Sequence, residues 1–280
     1  MSFFCQGIYL FVATTSGGNL NLHGDRISSF IGNPDTLAVA ATHKVYMNAR
    51  VEKYASNYIK NNSEALLIVK GRSVKCFDMM DSVFTSYGLP KELKYLAVVE
   101  SELNPNALSH VGAAGPWQLM PATARLLGLK VTSKYDERKY FKKSTIAAAR
   151  YIKDLYGEFG DWLLVLAAYN GGPGPVYKAI RKSGSHNYWK LQAFLPAETR
   201  GHIKRFISIH YFFEGNGSVT TLTKTEMNIY LKTLATIKSK NNVSLISKKD
   251  DISSAASHTD KAVLIKMAAE IVMINPLKLN

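Results

Sequence analysis

From residue 89 to residue 215 the chain is divided by residues that start and stop helices. Nowhere in this stretch do apolar and polar side chains alternate as a half-buried strand requires. Pro90 opens a helix that runs to about Ser101, where a missing N–H in the first turn costs nothing. A short helix begins at Pro121-Ala122-Thr123. Ser144 is a candidate cap for a longer one passing through Ile152 and Leu155 to Gly157. Asp161 should cap the next, Trp162 to Tyr169, which stops at Asn170-Gly171-Gly172-Pro173. Short helices follow at 175–181 and 188–194, and a last one spans 198–213. These signals predict an all-α domain.

Residues 17–36, rich in Gly, Asn, Ser and Asp, read as loop, and 36–58 as a helix with a rough amphipathic stripe. A second helix is expected over 63–86, stopping at Gly88. Beyond Ser218 the chain holds a weak strand candidate at 243–246, a polar stretch at 247–258 and a helix at 260–273. The organisation expected is therefore a signal-like or loop segment (1–35), an N-terminal helical extension (36–88), a central domain (89–215) and a small C-terminal appendage (216–280). The apolar stretch 3–13 has the length of a secretory h-region but no Lys or Arg before it. It reads equally as a degenerate signal peptide or as a structural strand or helix, and it is too short to span a bilayer.

The net charge is +14, and its excess lies in the middle: +2 over 1–88, +8 over 89–214 and +4 over 215–280. A polyanionic partner is indicated. The basic residues are dispersed along helices with no nucleic-acid-binding pattern, so an anionic cell-wall polymer or lipid surface is expected rather than nucleic acid. Two cysteines, Cys5 and Cys76, make no disulfide framework, and the seven His show no ligand spacing; neither metal nor cofactor is expected.

The chemistry is concentrated at one carboxylate. On the helix starting at Pro90, Leu93, Leu96 and Ala97 form an i, i+3, i+4 stripe facing the core, and the next position on that stripe is Glu100. Glu100 also lies in the last turn, near the negative end of the helix dipole. Burial and dipole both disfavour its charged form, the way a general acid is kept protonated near neutral pH. By itself the helix favours a plainer reading, a paired or solvated glutamate.

The surrounding motifs reverse that. Glu100-Ser101-Glu102-Leu103-Asn104-Pro105 is followed by Gly112-Ala113-Ala114-Gly115-Pro116-Trp117-Gln118-Leu119-Met120 and later by Ala167-Ala168-Tyr169-Asn170-Gly171-Gly172-Pro173-Gly174. Asp136-Glu137-Arg138, Phe159-Gly160-Asp161-Trp162 and Leu195-Pro196-Ala197-Glu198-Thr199-Arg200 complete the set. Together these resemble the catalytic domain of the soluble lytic transglycosylases, a goose-lysozyme-like helical fold, and most closely the D-type membrane-bound lytic murein transglycosylases. The resemblance covers less than half the chain. It implies that Glu100 is the single acid/base. It implies further that Ser109 hydrogen-bonds near the acid and the substrate's N-acetyl group, and that Gln118, Met120, Tyr169, Asn170 and Glu198 bind glycan. Pro116 departs from the family's usual Leu and stiffens its loop. Taken one by one, Trp117, Trp162 and Tyr169 read more readily as core, Arg138 and Arg200 as structural ion-pair partners, and His110 as a loop residue.

The family implies non-hydrolytic cleavage between N-acetylmuramic acid and N-acetylglucosamine to give 1,6-anhydro ends. A standard glycosidase needs two carboxylates; Glu102 should point to another face of the helix, and no other acid is an obvious second. The alternatives are a goose-type hydrolytic muramidase and a non-catalytic peptidoglycan-binding protein. Peptidoglycan strands are the expected partner of a monomer in the cell envelope, periplasmic or membrane-associated.

Overall fold

In this computed structural model residues 44–255 are described, with side chains up to 239. The expected signal-like segment at 1–35 and the helix at 260–273 lie outside the described residues. Internal contacts divide the chain into a unit Met1–Tyr230 and a unit Leu231–Asn280. The helices are α1 Ala49–Asn61, α2 Ser63–Ser73, α3 Phe77–Ser86, α4 Tyr95–Ser101, α5 Pro121–Leu126, α6 Phe141–Phe159, α7 Trp162–Gly171, α8 Pro173–Ser183, α9 Tyr188–Leu191, α10 Ala197–Glu214 and α11 Lys224–Ala255. A 3-10 turn, Lys91–Lys94, leads into α4. Among the described residues there are isolated antiparallel bridges but no strand, as the all-α reading expected.

The core of the first unit is built around α7. Its residues from Trp162 to Asn170 are all buried, which is why its sequence shows no amphipathic stripe. Helices α6, α8 and α10 pack against it. Asp161 starts α7 as expected, its Oδ1 accepting from Leu163 N at 2.9 Å and Leu164 N at 3.2 Å. Gly172 ends it at φ 80°. Helix α10 also carries α1 and α4 on its flanks, and α3 packs on the turn before α4 and on α6. The helices before residue 89 are thus part of the same packed body as the central motifs.

Four local expectations change. Of the helix expected over 36–58, residues 36–43 lie outside the described residues, 44–48 are not helical, and a helix begins at Ala49, where Asn48 caps it by accepting from Arg50 N at 3.0 Å. Ahead of that cap, Val45 is bridged to Gly217, and its carbonyl also accepts from the Tyr211 hydroxyl at 2.8 Å. The helix expected over 63–86 is two helices, broken at 74–76. Ser73 turns its hydroxyl back onto Lys70 O at 2.7 Å, a bond that competes with the helical ladder. Ser144 does not cap α6: the helix starts at Phe141, and the Ser144 hydroxyl donates to Tyr140 O at 2.8 Å from inside the first turn. The strand candidate at 243–246 lies within α11. Its short apolar run has no period to choose between strand and helix, and the polar residues around it continue the helix.

Asp161 makes stability depend on pH. It is 2% exposed, and burial pushes its carboxyl up to about 6 from the usual 3.8 despite three backbone N–H donors. A carboxyl whose folded pKa is raised binds its proton more tightly when folded, so stability falls as pH rises from about 4 to about 6 and is level above. Denaturant unfolding across that window should show this fall in the wild type. In Asp161→Asn, which keeps the capping oxygen, the slope between pH 4 and 6 should flatten.

Candidate active site

The stripe leading to Glu100 is buried as its spacing required: Leu93, Leu96 and Ala97 have no exposed surface. Glu100 follows them into the interior, its side chain 6% exposed. A carboxylate there must find a polar partner, because burying it alone costs several kcal/mol. The partner is His202 on α10, whose side chain is 2% exposed and whose Nε2 lies 2.9 Å from Glu100 Oε1. The other imidazole nitrogen, Nδ1, has no hydrogen-bond partner among the described residues.

Glu198 sits one turn before His202, in the first turn of α10, and is half-buried. Burial raises its carboxyl above the usual range; Arg205, His202 and His110 pull it down, and Glu100 pushes it up. Glu100, His202, Arg205 and His110 are thus all within electrostatic range of Glu198. Sequence reasoning singled out Glu100 and Glu198 but missed His202. The only trace was the i, i+4, i+7 spacing of Glu198, His202 and Arg205 on one helix face. The partnership itself joins residues 102 apart in the chain, where no local period reaches.

After Ser101 the chain turns through two non-glycine residues in the left-handed region, Glu102 at φ 53° and Leu103 at φ 61°. Arg72 braces this turn, its guanidinium donating to Glu102 O at 3.0 Å. A concavity of about 950 Å³ between Arg72, Met79, Leu103 and Phe141 does not include Glu100.

The loop at 107–119 is a doubled hairpin, with Ala114 bridged to both Leu108 and Leu119. Three helices clamp its tip. Ser101 on α4 donates to Pro116 O at 2.9 Å, Tyr169 on α7 to Trp117 O at 2.8 Å, and the Trp117 indole N–H to Thr145 on α6 at 2.9 Å. From beneath, Arg138 donates to Gly112 O at 2.7 Å and Leu119 O at 2.8 Å, and is neutralised by Asp136 at 2.7 Å. Gly115 packs so closely on Arg138 that a Cβ would stand 1.9 Å from its carbonyl oxygen. That contact is why only glycine fits there.

The expected binding residues divide between this hairpin and the ends of α7 and α10. Ser109 is half-buried and its hydroxyl oxygen accepts from Ala113 N at 2.9 Å. Gln118, at φ 45°, uses its Nε2 on Gly115 O at 2.9 Å and Ala107 O at 3.3 Å, which leaves its Oε1 as the end able to accept. Neither Ser109 nor Gln118 is hydrogen-bonded to Glu100 among the described residues. Met120 is half-buried at the start of α5. Asn170 is 6% exposed, and its Oδ1 accepts from Thr199, the residue after Glu198, at 2.9 Å. Among the described residues no cluster of His, Cys, Asp and Glu is arranged to hold a metal.

The clamp is testable through Tyr169. Tyr169→Phe removes the donor to a buried carbonyl and should lower unfolding free energy by about 1–3 kcal/mol. Amide exchange at residues 113–119 should speed up. Unchanged exchange there would mean that the hairpin does not depend on this bond.

Residues 85–192 match the family model of the transglycosylase SLT domain. Among curated proteins, the chain is 36% identical over 167 residues to the membrane-bound lytic murein transglycosylase D of Escherichia coli K12, covering 58% of this chain and 36% of that protein. It is 30% identical over 146 residues to the soluble lytic murein transglycosylase of Salmonella typhimurium, covering 48% and 22%. The 70 kDa soluble lytic transglycosylase of Escherichia coli superposes with a TM-score of 0.47 at 24% identity, covering 61% of this chain and 31% of that one. The chain thus spans about a third or less of the length of these relatives. Glu100, Ser109, Gln118, Met120, Tyr169 and Asn170 fall inside the matched segment, and Glu198 and His202 beyond it. With these motifs in that order, residues 85–192 of this chain are similar to the transglycosylase SLT domain.

Proposed function

We propose that this protein is a peptidoglycan lytic transglycosylase, with Glu100 as its acid/base. The observation that carries the reading is a buried glutamate at the end of a core helix of an SLT domain, hydrogen-bonded at 2.9 Å to a buried histidine. The names of the curated relatives supply the substrate class, murein.

In this mechanism Glu100 protonates the oxygen of the glycosidic bond between N-acetylmuramic acid and N-acetylglucosamine. The C1–O bond breaks and its electron pair leaves on that oxygen. The substrate's N-acetyl group stabilises the positive charge left at C1. Glu100, now a carboxylate, takes the proton of the muramoyl 6-hydroxyl as O6 bonds to C1, which closes the 1,6-anhydro ring and restores the acid. The clamped hairpin supports this by holding Ser109 and the free Oε1 of Gln118 in place for the acetamido group, which lowers the cost of orienting the substrate. Met120, Tyr169, Asn170 and Glu198 are assigned to the walls of the glycan site. Action on murein places the protein in the cell envelope, and no described helix is long and apolar enough to cross a membrane.

One observation favours a second reading. Glu198 is a second carboxyl in the field of Glu100, half-buried and shifted upward. A hydrolytic muramidase needs such a group to activate water, so hydrolysis is the competing chemistry. Mass spectrometry of muropeptides released from purified peptidoglycan separates the two. Anhydro-muropeptides from the wild type, lost in Glu100→Gln, are the expected outcome. Reducing ends that disappear in Glu198→Gln would make the protein a lysozyme. Release of nothing by the wild type would leave a peptidoglycan-binding protein.

A further inference from the structure

Glu100 does not act alone in this chain. Its Oε1 is 2.9 Å from His202 Nε2, and neither side chain has more than a trace of exposed surface. The proton between them has a physically preferred place. A proton on Nδ1 would be a buried N–H with no acceptor, and a doubly protonated ring would add a buried charge to that loss. The neutral ring with its proton on Nε2 avoids both and donates to Glu100 Oε1. The acid proton of Glu100 then resides on the other oxygen, Oε2.

We propose that His202 is the positioning residue of the acid/base: its Nε2–H occupies Oε1, directs the transferable proton to Oε2, and holds the carboxylate that forms when that proton leaves. This rests on the transglycosylase reading and deepens it. When the proton passes from Oε2 to the glycosidic oxygen, negative charge develops on the carboxyl. The N–H···O bond strengthens at that moment, so the interaction favours the transition state over the ground state. When the 6-hydroxyl proton returns to Oε2, the same bond relaxes to its starting strength, with the Nε2 proton unmoved throughout. Glu198, on the same helix as His202, is acted on by Arg205, His202, Glu100 and, from the hairpin, His110. The pair is the buried connection between α4 and α10 at the acid's own carboxyl.

Two variants test it, because Gln retains an N–H at the position of Nε2 and Phe retains only the shape. With soluble, amidase-stripped glycan strands as substrate, His202→Phe should lower kcat by about 100-fold with KM little changed, the pattern of an interaction made in the transition state. His202→Gln should recover kcat to within about tenfold of wild type. A folded Phe variant with wild-type kcat would overturn the proposal. So would a Gln variant that falls as far as Phe, because shape rather than the N–H would then be at issue.

A measurement independent of turnover separates this proposal from the reading it rests on. The 15N shifts of the His202 ring in the wild-type protein should show Nε2 protonated and Nδ1 bare, and Glu100→Gln should perturb Nε2. A proton on Nδ1 would sink the proposal even in an active enzyme. Its presence on Nε2 in a wild type that releases no muropeptide would sink the transglycosylase reading and leave the pair standing.

Discussion

A carboxyl group has been placed where a core helix would ordinarily present leucine or alanine, and the rest of the site answers that placement. Leu93, Leu96 and Ala97 drive their face of the helix into the interior, and Glu100 is carried in with them. Leaving it unpaired there would cost more than most single contacts return. His202 offsets the cost from α10 at 2.9 Å, so two helices distant in sequence are joined at that carboxyl. The same burial that makes the group costly also excludes water and makes hydrogen bonds to it strong.

Around this pair the backbone is fixed by groups that recognise carbonyls rather than side chains. Ser101 and Tyr169 take consecutive carbonyls of the hairpin, Arg138 takes two more, and Trp117 reaches Thr145 with its indole N–H. Helices α4, α6 and α7 therefore hold one short loop, and Ser109 and Gln118 ride on it. Rigid elements position a loop whose own backbone is irregular, the usual arrangement of a site that must keep its geometry through turnover. The left-handed conformations at Glu102, Leu103 and Gln118 are held by this bracing, Arg72 among its members.

How much of this was legible depended on the range of the interaction responsible. The Asp161 cap, the stop at Gly172, Pro121 in the first turn of α5 and the buried stripe before Glu100 are set by residues within a turn or two of each other. They were readable for that reason. The break at 74–76, the start of α6 at Phe141 and the non-helical course of residues 44–48 were misread. Ser73 and Ser144 can bond inward as readily as they cap, and Val45 is tied to Gly217 far along the chain. The helical course of residues 243–246 was misread because four apolar-rich residues carry no period.

The sequence by itself determined that the central domain is helical and that a carboxyl, Glu100, continues its buried stripe, since each follows from local spacing. Only the tertiary structure decided what that acid touches. The spacing of Glu198, His202 and Arg205 gave them one helix face, but not that the face turns toward Glu100. It also decided that Tyr169 and Gln118 spend hydrogen-bonding groups on the hairpin's own carbonyls. The physical reason is that burial selects partners by proximity in the packed core, and chain order does not encode that proximity.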